Sequence, residues 1–145
     1  MSNTGKFEFL EHTADTYVAA HGKTLEEAFS NAALAMFETM TDTNKIDPQI
    51  KKNIEVEAED EYALLYSWLE ALLVKFELEG MVFSKFEVQK IVDNKDNFKL
   101  VSTIWGEKFD ENKHSQKVAV KAATYHLMEI IKDIDKVTLM FLLDI

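Results

Sequence analysis

The sequence predicts an α+β domain in two layers, with two amphipathic helices packed on a mostly antiparallel or mixed β-sheet. Three observations lead there. Two long stretches carry apolar residues at helical spacing behind a capping residue, several shorter stretches alternate apolar and polar residues, and turn-rich segments of hairpin length join the later strands. At 145 residues the chain is read as one domain, 1–145, long enough to bury about 68–70% of its unfolded surface.

Phe7-Glu8-Phe9-Leu10 and Tyr17-Val18-Ala19-Ala20 read as short strands flanking the loop His12 to Asp15, the second closed by Gly22. Thr24 with Glu27 three positions on forms a capping box. Behind it, Leu25, Ala28, Phe29, Ala32, Ala33, Met36 and Met40 lie on one helical face. The helix ends near Met40, before the polar run Thr41 to Lys45 and Pro48, which marks a connection and not a domain boundary. Ile54, Val56 and Ala58 alternate with Glu55, Glu57 and Glu59, a strand with one wet face.

Asp60 then caps a second helix from Tyr62 to Leu78, whose stripe is Leu64, Leu65, Trp68, Leu69, Leu72, Leu73 and Phe76. Gly80 stands where a C-terminal cap belongs. Val82 to Val92 and Phe98 to Trp105 form a hairpin across Asp93 to Asn97, and Gly106 to Gln116 reads as a polar loop. Lys117 to Ile131 fits helix or strand. The strand reading is favoured, with Val118, Val120, Ala122, Thr124, His126, Met128 and Ile130 on one face. Lys132 to Lys136 then returns the chain antiparallel into Val137 to Ile145, a strand apolar on both faces.

Composition narrows the function. There is no cysteine, hence no disulfide, thiolate nucleophile or Cys-based zinc site. The formal net charge is −10 and every one of the 16 basic residues is lysine, a poor surface for direct nucleic-acid binding, which relies on cations that displace counterions. Neither a signal peptide nor an apolar run of roughly 18 residues is expected, so the reading is a cytoplasmic protein off the membrane. The four glycines, at 5, 22, 80 and 106, are scattered, which excludes a phosphate-cradling loop, and no Gly-x-Ser-x-Gly elbow is present.

Two acidic elements remain, His12-Thr13-Ala14-Asp15 near the start and Leu142-Leu143-Asp144-Ile145 at the end. Asp144 adds a side-chain carboxylate to the backbone carboxylate of Ile145. With Asp15 beside them, three hard oxygen donors would suit Ca²⁺ first, or Mg²⁺. The alternatives stay open: Asp15 capping its own turn, Asp144 on a solvated terminus, His12 as a loop hydrogen bonder and His126 as a strand residue. Lys121 is a cation among small residues, suited to a salt bridge or to contact with a partner or anion. Glu107, Asp110 and His114 form either a hydrolytic or metal cluster or a solvated charged loop.

The run EHTADTYVAAHGKTLEEAFSNAALAMFETMTD from Glu11 to Asp42, the segment VKAATYHLMEI from Val120 to Ile130 and the terminal FLLDI, in that order, closely resemble the archease family. The resemblance spans nearly the whole chain. It implies a non-catalytic activator of the tRNA-splicing RNA ligase RtcB, which promotes the ligase's guanylated-histidine intermediate and restores multiple turnover. It also implies a divalent-metal site on Asp15, Asp144 and Ile145, with Lys121 as a further residue of activation, and His12 is a candidate for the same partner role. Two rival functions are a general chaperone or modulator of RNA-modifying enzymes, and a metal-dependent small-molecule enzyme using His12, Asp15, His126 and Asp144.

Overall fold

The computed structural model describes residues 5–10 and 15–145. Seven strands and two long helices alternate in the order β1 (Phe7–Leu10), β2 (Thr16–Gly22), α1 (Leu25–Met40), β3 (Ile50–Ala58), α2 (Glu61–Glu79), β4 (Met81–Asp93), β5 (Phe98–Lys108), β6 (Ala122–Lys132) and β7 (Val137–Asp144). A short 3-10 turn, Thr43–Lys45, follows α1. The α+β class is the expected one. The strands, however, divide into two antiparallel sheets, of order β1-β2-β7-β6 and β3-β5-β4.

Among the described elements no strand of one sheet lies against a strand of the other, and the helices join them. α1 packs on β2 and β7 of the first sheet and on β4 of the second, while α2 packs on β6 and on β3, β5 and β4. One continuous core results. Phe29, Met36 and Phe37 of α1 and Leu64, Leu65, Trp68, Leu69 and Leu72 of α2 are fully enclosed with Phe83, Leu100, Leu139 and Phe141 from both sheets. The indole N–H of Trp68 donates to the Phe29 carbonyl at 2.9 Å, so the largest enclosed side chain satisfies its polar atom by tying one helix to the other.

The helix boundaries follow their capping chemistry. The Thr24 hydroxyl accepts from the Glu27 amide at 3.1 Å, and Glu27 reaches back to the amide of Lys23, so the box closes one residue earlier than the usual pattern. Asp60 caps α2 through the Ala63 amide at 2.8 Å. Gly80 ends that helix in the left-handed region, φ 65°. Gly22 lies inside β2 rather than after it, and a Cβ there would meet the Ala28 backbone nitrogen at 2.4 Å. This close approach lets β2 run directly against the first turn of α1.

Two expected boundaries move. β5 continues through Gly106 to Lys108, and the segment expected to be a polar loop contains His114, which is 1% exposed. In the ambiguous stretch the strand reading holds only from Ala122. Its register then slips between Thr124, paired with Leu142, and Glu129, paired with Met140. Four residues of β6 face one of β7, a wide bulge on an edge strand of the sheet. The expected single face of alternating residues is broken there: Met128 is buried while His126 is exposed.

Candidate functional site

The four-stranded sheet brings the two ends of the sequence together. β7 lies between β2 and β6, and its pairing with β2 runs to Thr16 opposite Leu143. Asp15 and Asp144 are the next residues of the two strands' chain segments beyond that last pair. On the other side Asp144 pairs with Ala122, and its carbonyl accepts the Lys121 amide at 2.7 Å. Leu139, Phe141 and Leu143 belong to the core, so strand alternation turns Leu142 and Asp144 to the other face. Ile145 packs its side chain against the core, which anchors the end of the strand. Asp15, Asp144, Ile145 and Lys121 thus lie at one end of the sheet, its tip.

His12 lies outside the described residues. His126 lies in the bulge, beyond Thr124, whose partner Leu142 is two rungs from Asp144, or about 7 Å along the strand. That spacing parts it from the tip. Among the described residues no three His, Asp or Glu side chains form a group able to hold a metal. The described donors at this end of the sheet are the two aspartate carboxylates. This chemistry fits a hard cation, and it leaves several of the six to eight positions of Ca²⁺ to water or to another molecule.

Beside Asp15 opens a cleft of about 330 Å³, with Phe9, Leu10 and Val118 as an apolar wall and Asp15 and Glu38 as acidic groups. Its floor is held by Lys117, whose ammonium pairs with Glu38 at 2.6 Å and whose amide donates to the Met40 carbonyl at 2.9 Å. The Thr43 hydroxyl donates to the other Glu38 oxygen at 2.6 Å. Glu38 is therefore committed to holding the approach to the tip. Among the described residues the Asp15 and Asp144 side chains have no hydrogen bond or ion pair. Lys121 also lacks an ion pair there, although Glu70 and Glu77 of α2 share a small cleft with it.

In the Glu107, Asp110 and His114 group the charged loop Asp110 to Lys113 is exposed, as the solvated-loop reading expects, and it folds over one buried histidine, His114. The Asp110 amide donates to His114 Nδ1 at 2.9 Å, so Nδ1 carries the lone pair and Nε2 carries the proton. Nε2 lies 2.8 Å from Glu107 Oε2. The same oxygen takes the Lys113 ammonium at 2.7 Å and the Asp47 amide at 2.9 Å, and Lys113 also pairs with Asp47 at 2.7 Å. Burial alone would raise the Glu107 carboxyl, but Lys113, the Asp47 amide and His114 together lower it to about 2. Every member is engaged, as a structural lock requires. Spacing does not reveal that a loop histidine is enclosed, so this network has no signature in the residue pattern.

Residues 7–145 match the family model described as the Archease protein family (MTH1598/TM1083). The chain is 49% identical to the archease of Sulfurisphaera tokodaii over 140 residues, 97% of this chain and 99% of that one. It is 45% identical to the archease of Pyrococcus abyssi over 127 residues, 88% of this chain and 89% of the relative. Among solved structures, protein 1598 of Methanobacterium thermoautotrophicum superposes with a TM-score of 0.84 at 42% identity, covering 97% of this chain and 99% of the other. An archease from Thermotoga maritima described as a possible chaperone shares the fold, with a TM-score of 0.60 at 20% identity over 94% of each chain. Among the described residues, no helix is long and apolar enough to cross a membrane. By sequence over nearly its whole length and by fold, the chain belongs to the archease family.

Proposed function

We propose that this protein is a cytoplasmic, non-catalytic activator of an RtcB-type RNA ligase in tRNA splicing and RNA repair, acting through the tip formed by Asp15, Asp144 and Ile145. The observation that supports this reading is that β2 and β7 pair up to Thr16 and Leu143, next to Asp15 and Asp144, whose side chains are unpaired among the described residues. Acidic side chains held at a protruding edge are suited to entering a basic, metal-dependent cleft, and the charge of −10 steers the chain toward such a surface. A divalent cation, Ca²⁺ before Mg²⁺, would be held by Asp15, Asp144 and the Ile145 carboxylate and would supply positive charge at the point of entry. Lys121 adjoins the same tip through the hydrogen bond from its amide to the Asp144 carbonyl, and the role proposed for Lys121 and His12 is to orient the partner's anionic groups. Direct nucleic-acid binding is not part of the reading.

The decisive measurement is ligation by the cognate ligase under single and multiple turnover, with and without the protein. Stimulation of guanylylation and of repeated turnover is expected, and its loss in Asp15→Asn and Asp144→Asn proteins that remain folded. Full stimulation by both variants would overturn the tip as the acting site. A general chaperone role, the description attached to the Thermotoga relative, would instead appear as protection of unrelated unfolded proteins with no effect on guanylylation.

A further inference from the structure

One of the two edge strands of the four-stranded sheet is β6, and its bulge is unusual in what it exposes. Tyr125 and Leu127 are 52% and 44% exposed, large apolar side chains on an edge strand. Leu127 adopts φ 61°, a conformation that costs a residue with a Cβ roughly 1–2 kcal/mol. The strain is upheld from the neighbouring sheet positions: the Tyr17 hydroxyl of β2 donates to the Leu127 carbonyl at 3.1 Å, and the His126 amide donates to the Thr124 hydroxyl at 3.2 Å. A bulge of this width prevents another strand from adding to the edge. It therefore does not serve β-pairing, and it keeps two apolar side chains in water at a conformational cost.

Tyr125 is also supported from below. Its ring stacks on Tyr66 of α2 with centroids 4.8 Å apart and planes at 16°, and the neighbouring Tyr62, 40% exposed, reaches the Ile130 amide with its hydroxyl. Rigid stacked aromatics are the side chains that anchor protein interfaces at low entropic cost. The surroundings are acidic. Burial raises the Tyr125 hydroxyl, and the charges of Asp60, the Tyr66 ring, Glu59 and Glu70 raise it further. An aromatic anchor rimmed by carboxylates is complementary to an apolar socket rimmed by lysine and arginine. The surface lies on the strand that starts beside the tip, since Ala122 pairs with Asp144.

We infer that the bulge of β6, with Tyr125 and Leu127 at its centre and Tyr62, Tyr66, Glu59 and Glu70 around it, is the docking surface by which the protein binds a basic face of its ligase. The inference rests on the proposed function, and it separates two tasks: the bulge holds the partner, and the tip acts on it.

The test uses the full chain and the cognate ligase, reading direct binding by calorimetry beside stimulation of guanylylation. Leu127→Gly is the informative variant, because glycine relieves the positive φ while removing the side chain. It should fold at least as stably as the parent, bind about tenfold more weakly, and reach the same maximal stimulation at a correspondingly higher concentration. Tyr125→Ala should act in the same direction, and Glu59→Lys with Glu70→Lys should weaken binding and flatten its salt dependence. Asp144→Asn should do the opposite, keeping affinity and losing maximal stimulation. Binding of Leu127→Gly and Tyr125→Ala within about twofold of the parent would overturn the docking surface and leave the tip untouched, given the energetic weight expected of interface anchors. Self-association of the parent that these variants abolish, at unchanged ligase affinity, would assign the surface to a second copy and overturn the inference. A parent that binds the ligase without stimulating it would overturn the proposed function, while weaker binding of the variants would still support the docking surface. A parent that does not bind would remove both.

Discussion

Two regions of this protein are built from the same materials, and they use them in opposite ways. Around His114, Glu107 and Asp47 are saturated by Lys113, a backbone amide and an imidazole N–H. At the tip, Asp15, Asp144 and Lys121 lie at one end of the sheet with no ion pair among the described residues. Paired charge inside a loop contributes stability and fixes geometry, whereas unpaired charge at a sheet end stays available to a ligand. Acidic content alone distinguishes nothing; the hydrogen-bond inventory does.

The comparison is sharpened first by removing one carboxylate from each region. Glu107→Ala strips partners from the enclosed His114 Nε2–H and the Asp47 amide, and should cost about 2–4 kcal/mol in chemical denaturation. Maximal ligase stimulation by the folded fraction should be retained. A smaller effect is expected from acid. Because Glu107 is held at about 2 against an ordinary 4.5, its contribution is complete above about pH 4.5 and is lost as pH falls toward 2. Glu107→Gln should flatten that limb of the stability profile, and an unchanged limb would show that the lock does not govern acid unfolding.

At the tip the expectations reverse. Calcium at ten times its dissociation constant should stabilise the parent by about 1.4 kcal/mol, read as a rise in Tm, and Asp144→Asn should abolish the rise. Without added cation, Asp15→Asn should change stability by no more than about 0.5 kcal/mol. A large loss there would place Asp15 with the structural carboxylates and erase the contrast between the regions.

The two helices and the core were legible because their signals are local. A capping box, a left-handed glycine and a 3.6-residue apolar period act within a few turns, and Leu64, Leu65, Trp68, Leu69 and Leu72 are buried as their spacing requires. The division into two sheets was not legible, since strand alternation reports one buried face and not which sheet supplies its neighbours. The tip was legible only in part. Asp144 interrupts an apolar run, a visible anomaly, but its proximity to Asp15 depends on β2 pairing with β7 across the length of the chain. The bulge was hidden because Leu127 takes a positive φ where no glycine or asparagine announces one. Burial of His114 depends on a hydrogen bond from a neighbouring backbone amide, which residue types do not encode.

The position of β7 between β2 and β6 also has a consequence for synthesis. β7 is the last of the seven strands to leave the ribosome, yet it is interior to its sheet. The β3-β5-β4 sheet has all its strands available well before, so it can form while the β1-β2 pair and β6 still wait for the strand that joins them. The nascent chain therefore passes through a stage in which one sheet is complete and the other exposes unpaired edges, and the tip is assembled in the final step. A release-coupled folding assay on stalled chains would show the four-stranded sheet, and with it the acidic site, gaining protection only after Val137 to Asp144 has emerged.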